Sequence, residues 1–195
     1  MQFDHVIYAT RDLDAAARRI EHELALPVRP GGRHDGIGTH NRIVPLGGGY
    51  LELMAVADPA EAEQSELGTA LLRRIEADAE GLMAWSLAVT DIEAVAARIG
   101  SSIHAISREG LTGRLTGVLE SLRDPQLPLF ISRDAGVADP GGGSDAGGIT
   151  WIEVGGDAAR IEAWVDESDP RVRVVAGAPS GVRAIGIGER EFRPG

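Results

Sequence analysis

The chain has 195 residues, 43% of them hydrophobic and only 4% aromatic, which suits one domain or two small fused units with a core chiefly of Leu, Ile, Val and Ala. Its 19 Lys and Arg are scattered among 30 Asp and Glu, for a net charge of −11, which argues against a phosphate-tracking surface and so against nucleic acid as a partner. No apolar run reaches the roughly 18 residues of a membrane span, and with no cysteine there are no disulfides, thiolate metal sites or cysteine nucleophiles. The opening residues Met1-Gln2-Phe3-Asp4-His5 lack a basic segment followed by an apolar stretch, so no secretory leader and a cytoplasmic location are expected.

In chain order, Phe3 to Ala9 reads as a strand, and Leu13, Ala16, Ala17, Ile20 and Leu24 form one helical stripe behind the capping residue Asp12. Pro27 ends that helix. Strands follow at about Val28 to Gly32, His40 to Leu46 and Tyr50 to Val56, separated by the turns Gly36-Ile-Gly38 and Gly47-Gly-Gly49. Asp58-Pro59 opens a connecting helix with Leu67, Leu71 and Ile75 on one side. Met83 to Val89 is a strand and Asp91 to Ile99 a helix stopped by Gly100. Further strands are expected at Ile103 to Arg108, Gly113 to Leu122 and Leu127 to Arg133. Residues 135–148, with Pro140-Gly-Gly-Gly-Ser144, read as a mobile loop. The tail repeats the theme: strand Ile149 to Val154, helix Asp157 to Val165, then strands Val172 to Ala176 and Gly181 to Gly188.

An internal repeat organises these elements. Asp12-Leu-Asp-Ala-Ala-Ala-Arg-Arg-Ile20 recurs as Asp91-Ile-Glu-Ala-Val-Ala-Ala-Arg-Ile99, each after an apolar strand. The expected division is a βαβββ module at 1–57, a connecting helix at 58–79, a second βαβββ module at 80–134, a Gly-rich loop at 135–148 and a partial third βαββ unit at 149–195. Extending the repeat backward sets His5 opposite Ala84, so the halves differ where a ligand-type side chain is present in only one.

Tandem βαβββ modules with Phe3-Asp4-His5-Val6-Ile7-Tyr8 on the first strand and Tyr50-Leu51-Glu52-Leu53 on the fourth resemble the vicinal oxygen chelate superfamily of glyoxalases, bleomycin-resistance proteins and dioxygenases. Gly38-Thr39-His40-Asn41-Arg42 is similar to a feature of one glyoxalase-like branch. The resemblance covers roughly residues 1 to 134. It implies an α+β fold in which curled mixed sheets form a cup with helices outside, as a monomer or homodimer. It also implies a small-molecule ligand and isomerase, lyase or dioxygenase-type chemistry around one divalent metal (Zn, Fe, Ni or Mn). Metal-free binding of a small molecule, as in the bleomycin-resistance proteins, is the alternative.

His5 and Glu52 match the family's metal-ligand positions, and imidazole with carboxylate suits such ions. Strand alternation supports Glu52: it shares a face with Tyr50 and Met54, leaving Leu51 and Leu53 to pack under a helix. The second half lacks both groups, since Ala84 stands at the His5 position beside Trp85, and Phe130 or Ser132 at the Glu52 position. A third metal ligand is then sought in His40, followed by Glu153 or His104. The expected site thus has His5, Glu52 and His40 on the metal, with Glu52 and His40 in acid–base roles. Thr39, Asn41, Arg42, Trp85 and Phe130 would bind substrate, Arg42 by clamping a carboxylate. Thr39 and Asn41 equally suit the satisfaction of turn backbone groups, and the tryptophans suit the core. His34 reads as an exposed loop residue. Gly36-Ile-Gly38 precedes no helix and is no dinucleotide fingerprint, and no serine sits in a Gly-x-Ser-x-Gly elbow.

Overall fold

The computed structural model describes residues 1–78, 80–108 and 111–194. The first module runs β1 (Phe3–Ala9), α1 (Leu13–Leu24), β2 (Arg29–His34), β3 (Thr39–Pro45) and β4 (Tyr50–Val56). A connector of α2 (Pro59–Ala62) and α3 (Glu66–Asp78) leads to β5 (Gly81–Ala88), α4 (Ile92–Ile99), β6 (Ile103–Arg108), β7 (Leu111–Thr116), α5 (Val118–Arg123) and β8 (Leu129–Arg133). The tail adds β9 (Ile149–Gly155), α6 (Ala158–Val165), β10 (Val172–Val175), β11 (Gly181–Ile187) and β12 (Arg190–Phe192). No helix of the described residues is long and apolar enough to cross a membrane.

The three strand-to-helix junctions use the same device. Asp12, Asp91 and Asp157 each accept a backbone N–H of the first helical turn at 2.9 Å, and each helix ends on a left-handed residue, Ala25, Gly100 and Asp166. The tail therefore shares the local grammar of both modules.

β2-β3-β4-β1-β5-β8-β7-β6 form one eight-stranded mixed sheet, with β1 and β5 antiparallel at the junction of the modules. The sheet curls until its edge strands β2 and β6 approach each other. Its outer face carries Val6, Tyr8, Leu51, Leu53, Trp85 and Phe130, packed against the stripe of α1 and against a second sheet, β10-β9-β11-β12. Ile152, Ile185 and Phe192 of that second sheet enter the same core. Its inner face carries Ile7, Met54, Ala84 and Leu129.

The connector does more than join the halves. Asp58 caps α2 with Pro59 in its first turn, the helix breaks, and Ser65 restarts it by accepting Gly68 N–H at 2.9 Å. Leu67, Leu71 and Ile75 of α3 then bury against Ile7, Met54 and Leu129 inside the cup. Burial of such side chains is worth roughly 1.5–3 kcal/mol each. So α1 and α4 lie outside, as expected, but α3 roofs the concave face.

The segment expected as a strand at Gly113 to Leu122 divides instead. Gly117 takes φ 75°, which ends β7, and Val118, Leu119 and Leu122 have helical rather than alternating spacing in α5. Val118 joins α3 in the inner core. The Gly-rich stretch 135–148 is tied to the β3–β4 turn: Gly47 N–H donates to Gly141 O at 2.8 Å, and Arg29 donates to the carbonyls of Gly142 and Gly143 at 3.1 and 3.0 Å.

Candidate functional site

Adjacent residues of a strand ordinarily point to opposite faces. β1 breaks that rule at its start. Phe3 pairs with Leu87 and His5 with Ser86, so Asp4 is an extra residue, a β-bulge. The bulge lets Phe3 stay in the outer core while Asp4 meets its neighbour: His5 Nδ1 lies 2.5 Å from Asp4 Oδ1. Both side chains are buried.

Arg133, at the end of β8, grips the other side of Asp4 with both terminal nitrogens, one of them at 2.6 Å. Burial pushes the Asp4 carboxyl up, but the hydrogen bonds and charges of His5 and Arg133 outweigh it and hold the group at about 2, against 3.8 ordinarily. Asp4 is thus ionised and accepts only, so His5 Nδ1 is the donor. Neutral His5 then carries its lone pair on Nε2, and Nε2 stands 3.6 Å from Glu52 Oε2. Tyr50 stacks on the imidazole at 4.8 Å between centroids, and the Arg133 guanidinium lies 5.8 Å from the centre of the Tyr50 ring.

Glu52 faces inward because β4 is regular, and Ile43 is its cross-strand partner in β3. The same face of β3 carries Asn41 and Thr39, both buried. Asn41 donates from Nδ2 to Glu52 Oε1 and accepts Gly32 N–H at its Oδ1 at 2.8 Å. That contact requires Gly31, since a Cβ there would lie 1.9 Å from Asn41 Oδ1. His34 pairs with Thr39 across the β2–β3 turn. Its Nδ1 is 2.8 Å from Thr39 Oγ1, and its Nε2 is 3.3 Å from Asn41 Nδ2 and 3.7 Å from Glu52 Oε1.

These groups form the polar end of a cavity of about 80 Å³, room for several waters. His5, His34, Thr39, Tyr50 and Glu52 line that end, with Ser107 of β6 nearby in the wall. The remaining wall is apolar and draws on both modules and the connector, including Ile7, Met54, Leu67, Leu71, Leu129 and Ile131. Among the described residues, no Lys or Arg lines the cavity. The imidazoles of His5 and His34 flank the Glu52 carboxylate, with Nε2 atoms 3.6 and 3.7 Å from its two oxygens.

A three-ligand metal centre does not fit these residues. The Asn41 amide nitrogen, a donor, occupies the Glu52 oxygen that faces His34, and among the described residues no three His, Asp or Glu are arranged to hold an ion. His5 and Glu52 alone supply fewer protein ligands than such sites use.

The structure brings His5, Thr39, Asn41 and Glu52 together and separates them from other candidates. His40 and Arg42 occupy the opposite face of β3. His40 is half-buried, and burial followed by the charges of Arg33 and Arg42 lowers its basicity, while Arg42 pairs with Asp14 of α1. Neither lines the cavity, so His40 is no third ligand and Arg42 no clamp in this arrangement. Trp85 is wholly buried in the outer core and donates Nε1–H to Gln126 O at 3.1 Å. Phe130 lies in that core near Trp164. On the inner face of β8 the lining residues are Leu129 and Ile131. Glu153 sits in the second sheet with Arg183 and Arg193, and His104 does not line the cavity. Sequence reasoning missed Asp4, His34, Tyr50 and Arg133. The pairing of His34 with Thr39 across Gly36 and Gly38 was the available signal for His34.

A family described as a glyoxalase-like domain matches residues 3–167. None of the curated proteins matches the chain significantly. A hypothetical protein from Staphylococcus aureus has a similar structure, with a TM-score of 0.73 at 16% identity over 98% of each chain. A methylmalonyl-CoA epimerase from Mycobacterium tuberculosis has a TM-score of 0.47 at 19% identity, over 68% of this chain and 86% of that one. A variant Streptomyces coelicolor methylmalonyl-CoA epimerase, in complex with 2-nitronate-propionyl-CoA, has a TM-score of 0.49 at 20% identity, over 70% of this chain and 96% of that one. At 16% identity the likeness to the Staphylococcus aureus protein speaks to fold alone. The match over residues 3–167 spans most of the sequence, and the chain belongs to the glyoxalase-like domain family.

Proposed function

We propose that the cup is the active site of a small-molecule enzyme that moves a proton at a carbon next to a carbonyl group, giving isomerase- or lyase-type chemistry. One observation carries this reading: Asp4 holds His5 Nδ1 at 2.5 Å, so that Nε2 faces the Glu52 carboxylate at the polar end of an otherwise apolar cavity. A histidine backed by a carboxylate, with its other nitrogen in a pocket, is the arrangement general base catalysis needs.

Nε2 of neutral His5 takes the proton from the substrate carbon. The C–H bond breaks, an N–H bond forms, and the electron pair moves to the carbonyl oxygen. The imidazolium then lies between Asp4 and Glu52, whose charges stabilise it without rearrangement. Tyr50 and Ser107 line the same cavity, and in this reading their hydroxyls are the O–H donors for the oxygen. Return of the proton to a neighbouring atom completes an isomerisation. Loss of a leaving group completes a lyase reaction.

Wash-in of deuterium from D2O into a panel of α-hydroxy ketones, followed by NMR, tests this. Exchange with the native protein that disappears in His5→Gln is the expected result. A second reading, a metal-free protein that only binds its ligand, is favoured by the apolar wall supplied by Leu129 and Ile131 of the second module. Ketones that raise the melting temperature but never exchange would establish that reading and remove the first.

A further inference from the structure

Resting on the reading of the cup as a proton-transfer site, we infer that its substrate carries no anionic group in the cavity, because Glu52 rejects anions, and that α3 limits the length of its apolar body.

The charge argument starts from the lining. Glu52 is buried at the polar end of the cavity. Arg133, which reaches that end through Asp4 and Tyr50, is committed to Asp4 through both terminal nitrogens. Arg42 is on the far face of β3 with Asp14. A carboxylate or phosphate entering the cavity would therefore meet Glu52 with no described Lys or Arg lining the wall, in surroundings that screen charge poorly. A hydroxyl or carbonyl head matches the neutral donors and acceptors of His5, His34, Thr39 and Tyr50.

The size argument rests on the connector. Leu67 and Leu71 project from α3 into the cavity, opposite Ile7 and Leu129 of the sheet. In a cavity of about 80 Å³, a short apolar body fits and a long one meets the helix.

Two compounds with one phenyl body and a two-carbon head separate the possibilities: 2-hydroxyacetophenone (neutral) and mandelate (anionic). Isothermal titration of the chelator-treated protein should show the neutral ketone binding at least about tenfold tighter than mandelate, whose carboxylate faces a like charge. Glu52→Gln should tighten mandelate and narrow that gap. Leu71→Ala should admit a para-butyl hydroxyacetophenone that the native protein refuses. Mandelate binding as tightly as the ketone would overturn the inference, as would no measurable binding of the ketone or an unchanged gap in Glu52→Gln. These arms need no turnover. A protein that shows the selectivity yet never exchanges deuterium would sink only the catalytic reading, and exchange without the selectivity would sink only this one.

Discussion

Arg133→Met should be among the most destabilising single substitutions in this chain, and the loss should be largely undone by Asp4→Asn. Asp4 is 5% exposed and the Arg133 side chain 16%. Removing the guanidinium leaves a buried carboxylate with only the His5 hydrogen bond, and breaking such a pair from one side costs about 3–5 kcal/mol. The double variant leaves no buried charge at this point and should recover most of that loss, because the pair's attraction is mostly spent against desolvation. The same ion pair sets a pH dependence. The folded-state value of Asp4, about 2, lies below the ordinary 3.8. Above 3.8 both folded and unfolded chains carry the charge, so the contribution is complete. As the pH falls, the unfolded chain takes the proton first, and stability is lost down to about 2. A shift of this size corresponds to about 2 kcal/mol. Urea unfolding of native, single and double variants at neutral pH, repeated near the bottom of that window, reads both effects. Single losses that simply add in the double variant, or an Arg133→Met cost below about 1 kcal/mol, would refute the coupling described for Asp4.

Three further outcomes follow from separate features. Ala25→Gly should raise stability by roughly 1 kcal/mol in thermal unfolding, because Ala25 holds φ 51° in the left-handed region. Asp157→Ala should cost about 1 kcal/mol by freeing the amides of Ala159 and Arg160, and a null effect would show that α6 does not depend on its cap. His40→Ala, on the face of β3 away from the cavity, should leave titrated binding of a cavity ligand unchanged, whereas His34→Ala should weaken it. Equal effects would contradict the face assignment of β3.

The repeat and the alternation of β4 were legible in the sequence because both are local. Asp12, Asp91 and Asp157 recur before apolar helices, and Tyr50, Glu52 and Met54 alternate with Leu51 and Leu53 on an unbroken strand. β3 was harder. Its apolar residues Ile43 and Val44 occur at both parities and are both buried, so only the pairing of Ile43 with Glu52 decides that Thr39 and Asn41, not His40 and Arg42, face inward. The bulge at Asp4 breaks the two-residue period itself, and the contact from Arg133 to Asp4 joins residues 129 positions apart. Phe130 was misplaced for a related reason: with both faces of β8 buried, its apolar run carries no alternation to read.

The roof of the cavity is also the tether between the halves. Duplicated modules are commonly pictured as separable beads on a string, to be cut, swapped or permuted at the link. Here Leu67 and Leu71 make the link part of the cavity wall, so a chain opened between residues 58 and 78 would keep both sheets and lose the enclosure they share. Substitutions along that link therefore retune the interior as directly as changes on the strands do.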